Sequence, residues 1–165
     1  MNHNDRLTRL RYALNIKDND MVEVFSLGGM TLSKEVVQSL MKKLPKEDET
    51  KENEYEKVCT DEMFERFLNG LITSQRGSQD GTQPVLELNA GNANNLLLKK
   101  VKIALTLTSH DILDMLNEAG IQISNSELSA VLRKEGHRNY KPCGDRYARN
   151  FLKGLALAYR GEKVD

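Results

Sequence analysis

Shifted against itself by about 91 positions, the chain realigns with its own beginning over roughly its first 40 residues. Arg9-Leu10-Arg11-Tyr12-Ala13-Leu14 lies over Lys100-Val101-Lys102-Ile103-Ala104-Leu105. Downstream, Asp20 meets Asp111, Gly29 meets Gly120 and Ser33 meets Ser124. The register then changes by about seven residues and a second block aligns more closely still. In it Cys59-x-Asp61 and Phe67-Leu68-x-Gly70-Leu71 sit over Cys143-x-Asp145 and Phe151-Leu152-x-Gly154-Leu155. A chain that carries the same instruction twice is constrained to fold a small unit twice.

Each unit reads as four short helices. Leu7, Leu10 and Leu14 fall at i, i+3, i+7, and Leu98, Val101 and Leu105 keep that phase. A second helix is predicted over 18–27 and 109–119. It is followed by Gly29 and Gly120, where a helix end wants a left-handed backbone. The third opens at Ser33 and Ser124, and Ser124-x-x-Glu127 has the form of a capping box. The fourth begins near Asp61 and Asp145, whose carboxylates favour the positive end of the helix dipole. Gly70 and Gly154 lie within it, where glycine costs about 1 kcal/mol relative to alanine. That cost, kept twice, predicts a close helix crossing. The fold class expected is therefore all-α: two tandem four-helix units, either related by a pseudo-two-fold axis or standing as separate lobes. Residues 1–72 form repeat 1, 73–93 a Gly-, Ser-, Gln- and Asn-rich flexible linker, and 94–160 repeat 2. The extra residues of repeat 1 fall between Leu44 and Val58, a charged stretch that suits a surface loop.

Composition narrows the function classes. With 39% hydrophobic and 29% charged residues in 165, a core can form. The formal net charge of +0 argues against a protein that grips nucleic acid with its whole surface, so any such binding needs a local patch. The two cysteines, Cys59 and Cys143, do not make a secreted disulfide framework. The polar start Met1-Asn2-His3-Asn4 lacks an apolar signal core, and no apolar run approaches the roughly 20 residues of a membrane span. A cytoplasmic protein, with no membrane partner, is expected.

Phe67-Leu68-Asn69-Gly70-Leu71-Ile72 with Arg76-Gly77 resembles a bacterial family of unknown function typified by YehS. So does Gly136-His137-Arg138-Asn139-Tyr140-Lys141-Pro142-Cys143-Gly144-Asp145, leading into Phe151-Leu152-Lys153-Gly154-Leu155. The resemblance covers nearly the whole chain. It implies a small cytoplasmic bacterial protein with a duplicated helical domain, and it supplies no activity, cofactor or catalytic residue.

The duplication also sorts residues. Those common to both copies most simply serve the fold, so Cys59 and Cys143 read as small buried thiols and Asp61 and Asp145 as helix-initiating carboxylates. The sharper alternative is a nucleophilic Cys143 with His137 as base and Asp145 as orienter. Against it, repeat 1 keeps the Cys and Asp without the His. A metal site from Cys59, Cys143, His110 and His137 would lack the close ligand pairs of structural zinc sites. No catalytic residue, metal or cofactor is expected.

Repeat 2 alone carries His137, Asn139 and Tyr140, either a polar connector or a recognition loop. On its fourth helix Arg146, Arg149 and Lys153 fall at i, i+3, i+7, with Arg160 extending the row and Arg138 and Lys141 just upstream. Tyr147, Phe151, Leu152 and Leu155 take the opposite side. The equivalent positions of repeat 1 are Glu62, Glu65 and Asn69, an anionic row opposed to the cationic one. The function expected is a non-enzymatic interaction or regulatory module using this basic face. A protein partner is favoured and a homo-oligomer is open. The alternative is nucleic-acid binding through the same face. The helix–Gly–helix passages at 20–43 and 111–134 hold few base-reading residues and are weak signals for it. A Cys/His-dependent enzyme comes third.

Overall fold

The duplication predicts that the apolar core of one repeat should recur in the other, and the computed structural model, which describes residues 1–77 and 82–161, shows this along the first, second and fourth helices of each repeat. Among the described residues eight α-helices appear, in two compact units divided between Glu87 and Leu88. Unit 1 holds α1 (His3–Leu14), α2 (Asp18–Leu27), α3 (Lys34–Leu40) and α4 (Asp61–Arg76). Unit 2 repeats the order with α5 (Ala93–Ala104), α6 (Ser109–Glu118), α7 (Asn125–Leu132) and α8 (Asp145–Arg160). Among the described residues there is no strand, only an isolated bridge between Lys43 and Tyr55.

The two cores match position for position. Leu7, Leu10 and Ala13 on α1 correspond to Leu98, Val101 and Ala104 on α5, and all are buried. Met21, Val24 and Phe25 on α2 become Ile112, Met115 and Leu116 on α6. Phe67, Leu68 and Leu71 on α4 become Phe151, Leu152 and Leu155 on α8. Volume is redistributed rather than conserved at each site. Phe25 and Phe67, tilted rings with centroids 5.1 Å apart in unit 1, give way to a Leu116–Phe151 combination. Cores tolerate such exchanges when total volume and pattern survive. Cys59 and Cys143 are both buried, 3% and 8% exposed, as their shared register predicts.

Gly70 and Gly154 mark the crossings. A Cβ on Gly70 would overlap the carbonyl oxygen of Val24 on α2, and one on Gly154 would overlap that of Met115 on α6. Gly29 and Gly120, after α2 and α6, have φ of 91° and 98°, the left-handed backbone expected of them.

Helix starts differ from expectation in detail. Ser124 accepts the Glu127 amide, but the reciprocal capping boxes close at Asn2–Asp5 and Thr108–Asp111 instead. The expected boundary at residue 72 also moves. α4 runs on to Arg76 because Gly77, with φ 79°, ends it, so the change in composition precedes the end of the helix. Residues 82–87 belong with unit 1, where the Glu87 amide is held by both Glu65 carboxylate oxygens at 2.8 and 3.0 Å. The charged stretch Leu44–Val58 is likewise pinned. Buried Asp5 accepts hydrogen bonds from Asn53 Nδ2 (2.9 Å) and Tyr55 Oη (2.7 Å), and Asn2 donates to the Asn53 carbonyl (2.8 Å).

Candidate functional site

The cationic helix α8 begins at Gly144, which supplies no side-chain cap; its twin α4 is capped by Thr60, whose hydroxyl accepts the Met63 amide. What positions the start of each helix is instead a buried asparagine. Asn95 Nδ2 donates to the carbonyls of Val131 (3.0 Å) and Lys141 (2.8 Å), and its Oδ1 accepts the Cys143 amide (2.9 Å). Asn4 does the same in unit 1, donating to Leu40 and Lys57 (2.8 Å each) and accepting from Cys59 (2.9 Å). Each asparagine ties the first helix of its unit to the end of the third and to the turn before the fourth. Sequence reading missed this pair, although Asn4 and Asn95 stand in the same register as the rest of the first block.

With its start anchored, α8 runs for 16 residues to Arg160 and faces the core with Ala148, Phe151, Leu152 and Leu155, while Tyr147 is half-buried. Arg146, Arg149 and Lys153 are exposed, and none forms an ion pair among the described residues. Arg160 is half-buried rather than a free continuation of the row. Arg138 and Lys141 are exposed on the loop preceding α8.

The anionic counterpart expected on α4 does not exist as a surface row. Only Glu62 is exposed, paired with Arg66 at 2.9 Å, while Glu65 (1% exposed) and Asn69 (4%) are buried. Glu65 is buried because its carboxylate is used to hold Glu87. A charge pattern in sequence cannot reveal that a neighbouring segment will cover it.

His137, Asn139 and Tyr140 are not presented together. His137 and Asn139 are exposed, with the His137 Nδ1 accepting the Asn139 amide at 3.0 Å. Tyr140 turns its hydroxyl inward, where it meets no hydrogen-bond partner among the described residues, and the Tyr147 hydroxyl is buried in the same way. Burial raises both phenols above their usual range, with the nearby Cys143 contributing to each.

The bonds around the cysteines describe packing. Cys143 Sγ lies 3.7 Å from the Gly144 carbonyl, and Asp145, the proposed orienter, accepts from Asn94 Nδ2 at 2.9 Å. In unit 1 burial pushes the Cys59 thiol up to about 12, far from a thiolate at neutral pH. Among the described residues no group of three His, Cys, Asp or Glu side chains is arranged to hold a metal ion. No helix among them is long and apolar enough to cross a membrane.

At the position of Asn94, unit 1 has His3. Its Nε2 lies 2.6 Å from Asp61, its Nδ1 lies 3.0 Å from Arg6, and its ring stacks on Phe64 with centroids 5.1 Å apart. Burial, helped by Arg6, holds the imidazole below its ordinary value against the opposing pull of Asp61. Unit 2 replaces Phe64 by Ala148, so the imidazole and its stacking partner are exchanged together.

Beside the second and fourth helices each unit has a groove in the same place. In unit 2 it measures about 590 Å³, floored by Leu105, Leu107, Leu157 and Tyr159 and rimmed by Asp111, Asp114 and Glu118. In unit 1 it measures about 390 Å³, with Asp20 and Glu23 on the rim, Leu27 in place of Glu118, and Thr73, Ser74 and Gln75 in place of the apolar end of α8. Asn15 and Thr106, equivalent residues at these grooves, both hold left-handed backbone (φ 52° and 55°) that non-glycine residues rarely adopt.

Residues 3–77 and 94–161 match the protein family described as "Protein of unknown function (DUF1456)". The chain is 38% identical over 160 residues to "Uncharacterized protein YehS" of Escherichia coli (strain K12), covering 97% of both chains. No solved structure matches the chain.

Proposed function

The chain belongs to the DUF1456 family of unknown function, and from that premise we propose that it is a non-enzymatic interaction module of the bacterial cytoplasm whose contact surface is the cationic face of α8. The observation that carries this reading is the set of unpaired cations Arg146, Arg149 and Lys153 on a rigid helix whose counterpart in unit 1 uses its own charges internally. The arrangement costs the fold something. Like charges three and four residues apart on a helix destabilise it by about 0.2–0.5 kcal/mol per pair. Arg146, in the first turn, also faces the positive end of the helix dipole. Asp145 beside it offsets that term only in part. An anionic partner surface would offset both terms, because complementary fields favour and orient docking.

The test is capture from cells with tagged protein, with and without nuclease, followed by mass spectrometry. The triple variant Arg146→Glu, Arg149→Glu, Lys153→Glu should lose capture at least tenfold. Unchanged capture would reduce the face to ordinary surface.

A second reading, nucleic-acid binding, is supported by Arg138 and Lys141, which are exposed on the loop leading into the same helix. Phosphate contacts release counterions, so affinity must then fall linearly with salt on a log–log plot. A flat salt response in a fluorescence titration would remove it.

A further inference from the structure

We infer that the anionic partner of the α8 face is a second copy of this chain, which receives the cations on the acidic rim of its own α6–α8 groove; this rests on the assignment of that face to protein binding. The two rows have the same spacing. Asp111, Asp114 and Glu118 stand at i, i+3, i+7 on α6, as Arg146, Arg149 and Lys153 do on α8. Each row therefore spans about 10.5 Å along its helix, so three cations can meet three carboxylates without distortion. Asp114 and Glu118 are exposed and Asp111 is half-buried. Asp111 also closes the Thr108 capping box, and Asp114 lies 3.4 Å from exposed His110, so Glu118 is the least committed of the three.

Both rows belong to one unit, so a two-fold arrangement can satisfy both at once. When one copy's cations meet the other's carboxylates, a two-fold axis makes the reverse contact at the same time, and the assembly closes as a dimer. The groove beside the acids adds apolar surface for the incoming helix to cover, including Tyr159, 47% exposed. Unit 1 lacks both halves of the match. Its groove has Leu27 where unit 2 has Glu118, and its fourth helix carries no cationic row.

Sedimentation velocity of the full chain at low and high salt tests this. The expected result is a dimer at low salt that dissociates as ionic strength shortens the reach of the charges. The triple Glu variant of α8 should weaken dimerisation at least tenfold, and Asp114→Lys with Glu118→Lys should do the same. A chain carrying all five changes should dimerise again, and an equimolar mixture of the two single-row variants should form the mixed dimer. Recovery in these two cases separates lost complementarity from lost folding. A wild-type monomer at low salt overturns the inference, as does a dimer indifferent to both reversals. If the wild type is monomeric while capture from cells still depends on Arg146, Arg149 and Lys153, the second copy is the wrong partner and the face keeps its role. If neither assembly nor capture responds to the triple variant, both ideas fall.

Discussion

Unit 1 and unit 2 share a core, two crossing glycines, a buried cysteine each and the same asparagine clamp, yet they spend their polar residues differently. Unit 1 turns its polar groups inward. Asp5 holds the charged stretch through Asn53 and Tyr55, Glu65 holds the approach to the next unit, and His3 bridges Asp61 and Arg6. At the equivalent places unit 2 has Leu96, Arg149 and Asn94. Two of those three no longer carry buried charge or an ionisable group, and the third faces solvent as a cation. The comparison teaches that after duplication the hydrophobic positions stayed coupled to packing, while polar positions were released to serve either stability or surface. At these three places unit 1 took the first course and unit 2 the second, while at Arg9 and Lys100 the order is reversed, exposed in unit 1 and buried in unit 2.

The comparison can be broken most severely at the clamps. Asn4→Ala and Asn95→Ala each orphan two carbonyls and one amide in buried or half-buried surroundings, and unsatisfied buried groups cost about 1–3 kcal/mol apiece. Each substitution should lower stability by about 4 kcal/mol in urea denaturation of the full chain. Unequal losses would show that the two clamps are not equivalent. The crossings come next. Gly70→Ala and Gly154→Ala should each cost about 3 kcal/mol, because overlap with a backbone carbonyl outweighs the roughly 1 kcal/mol gain in helix propensity. Gly28→Ala sharpens the comparison. A Cβ there would overlap the Arg66 carbonyl, whereas unit 2 carries Ala119 at that position, so only unit 1 should be sensitive.

Asp5→Leu installs the residue of unit 2 and should cost unit 1 about 2 kcal/mol by stranding the Tyr55 hydroxyl and the Asn53 amide. Hydrogen exchange should then rise across 44–58 and stay unchanged in unit 2. The native Asp5 carboxyl is raised by burial, but hydrogen bonds from Asn53, Tyr55 and Asn2 outweigh that and leave it below the usual range. Its contribution is therefore present above pH 3.8 and lost as pH falls through the depressed value.

The smallest effect is the pH response of His3. Folded, it binds a proton less readily than unfolded, so stability is complete above about pH 6.5 and declines as pH drops below it. His3→Asn, the residue of unit 2, should abolish the part of the response between pH 7 and 5 that belongs to unit 1. A mutant melting curve that keeps the full wild-type decline would assign the effect elsewhere.

The fold was legible because helices are encoded locally and because the chain wrote the same pattern twice. The i, i+3, i+7 phase of Leu7, Leu10 and Leu14, the glycines at 29 and 120 and the serines at 33 and 124 needed no partner to be understood. Gly70 and Gly154 were legible for a different reason: a cost retained in both copies implies a tertiary cause. The site was legible only in half. The exposure of Arg146, Arg149 and Lys153 followed from periodicity, whereas Glu65 and Asn69, read in the same way, are buried. The inward turn of Tyr140 was invisible too, because no periodicity governs a loop.

By itself the sequence determined the eight helices seen among the described residues, their twofold repetition and the apolar stripe of the first and fourth helices, since these depend on backbone propensity and on apolar spacing along one element. Only the tertiary structure decided that Asn4 and Asn95 are clamps, that Glu65 is structural and that an acidic groove stands on the same unit as the cationic row. Those facts depend on which residues distant in the chain become neighbours, and a hydrogen bond or a covered charge has no meaning until both partners are in place.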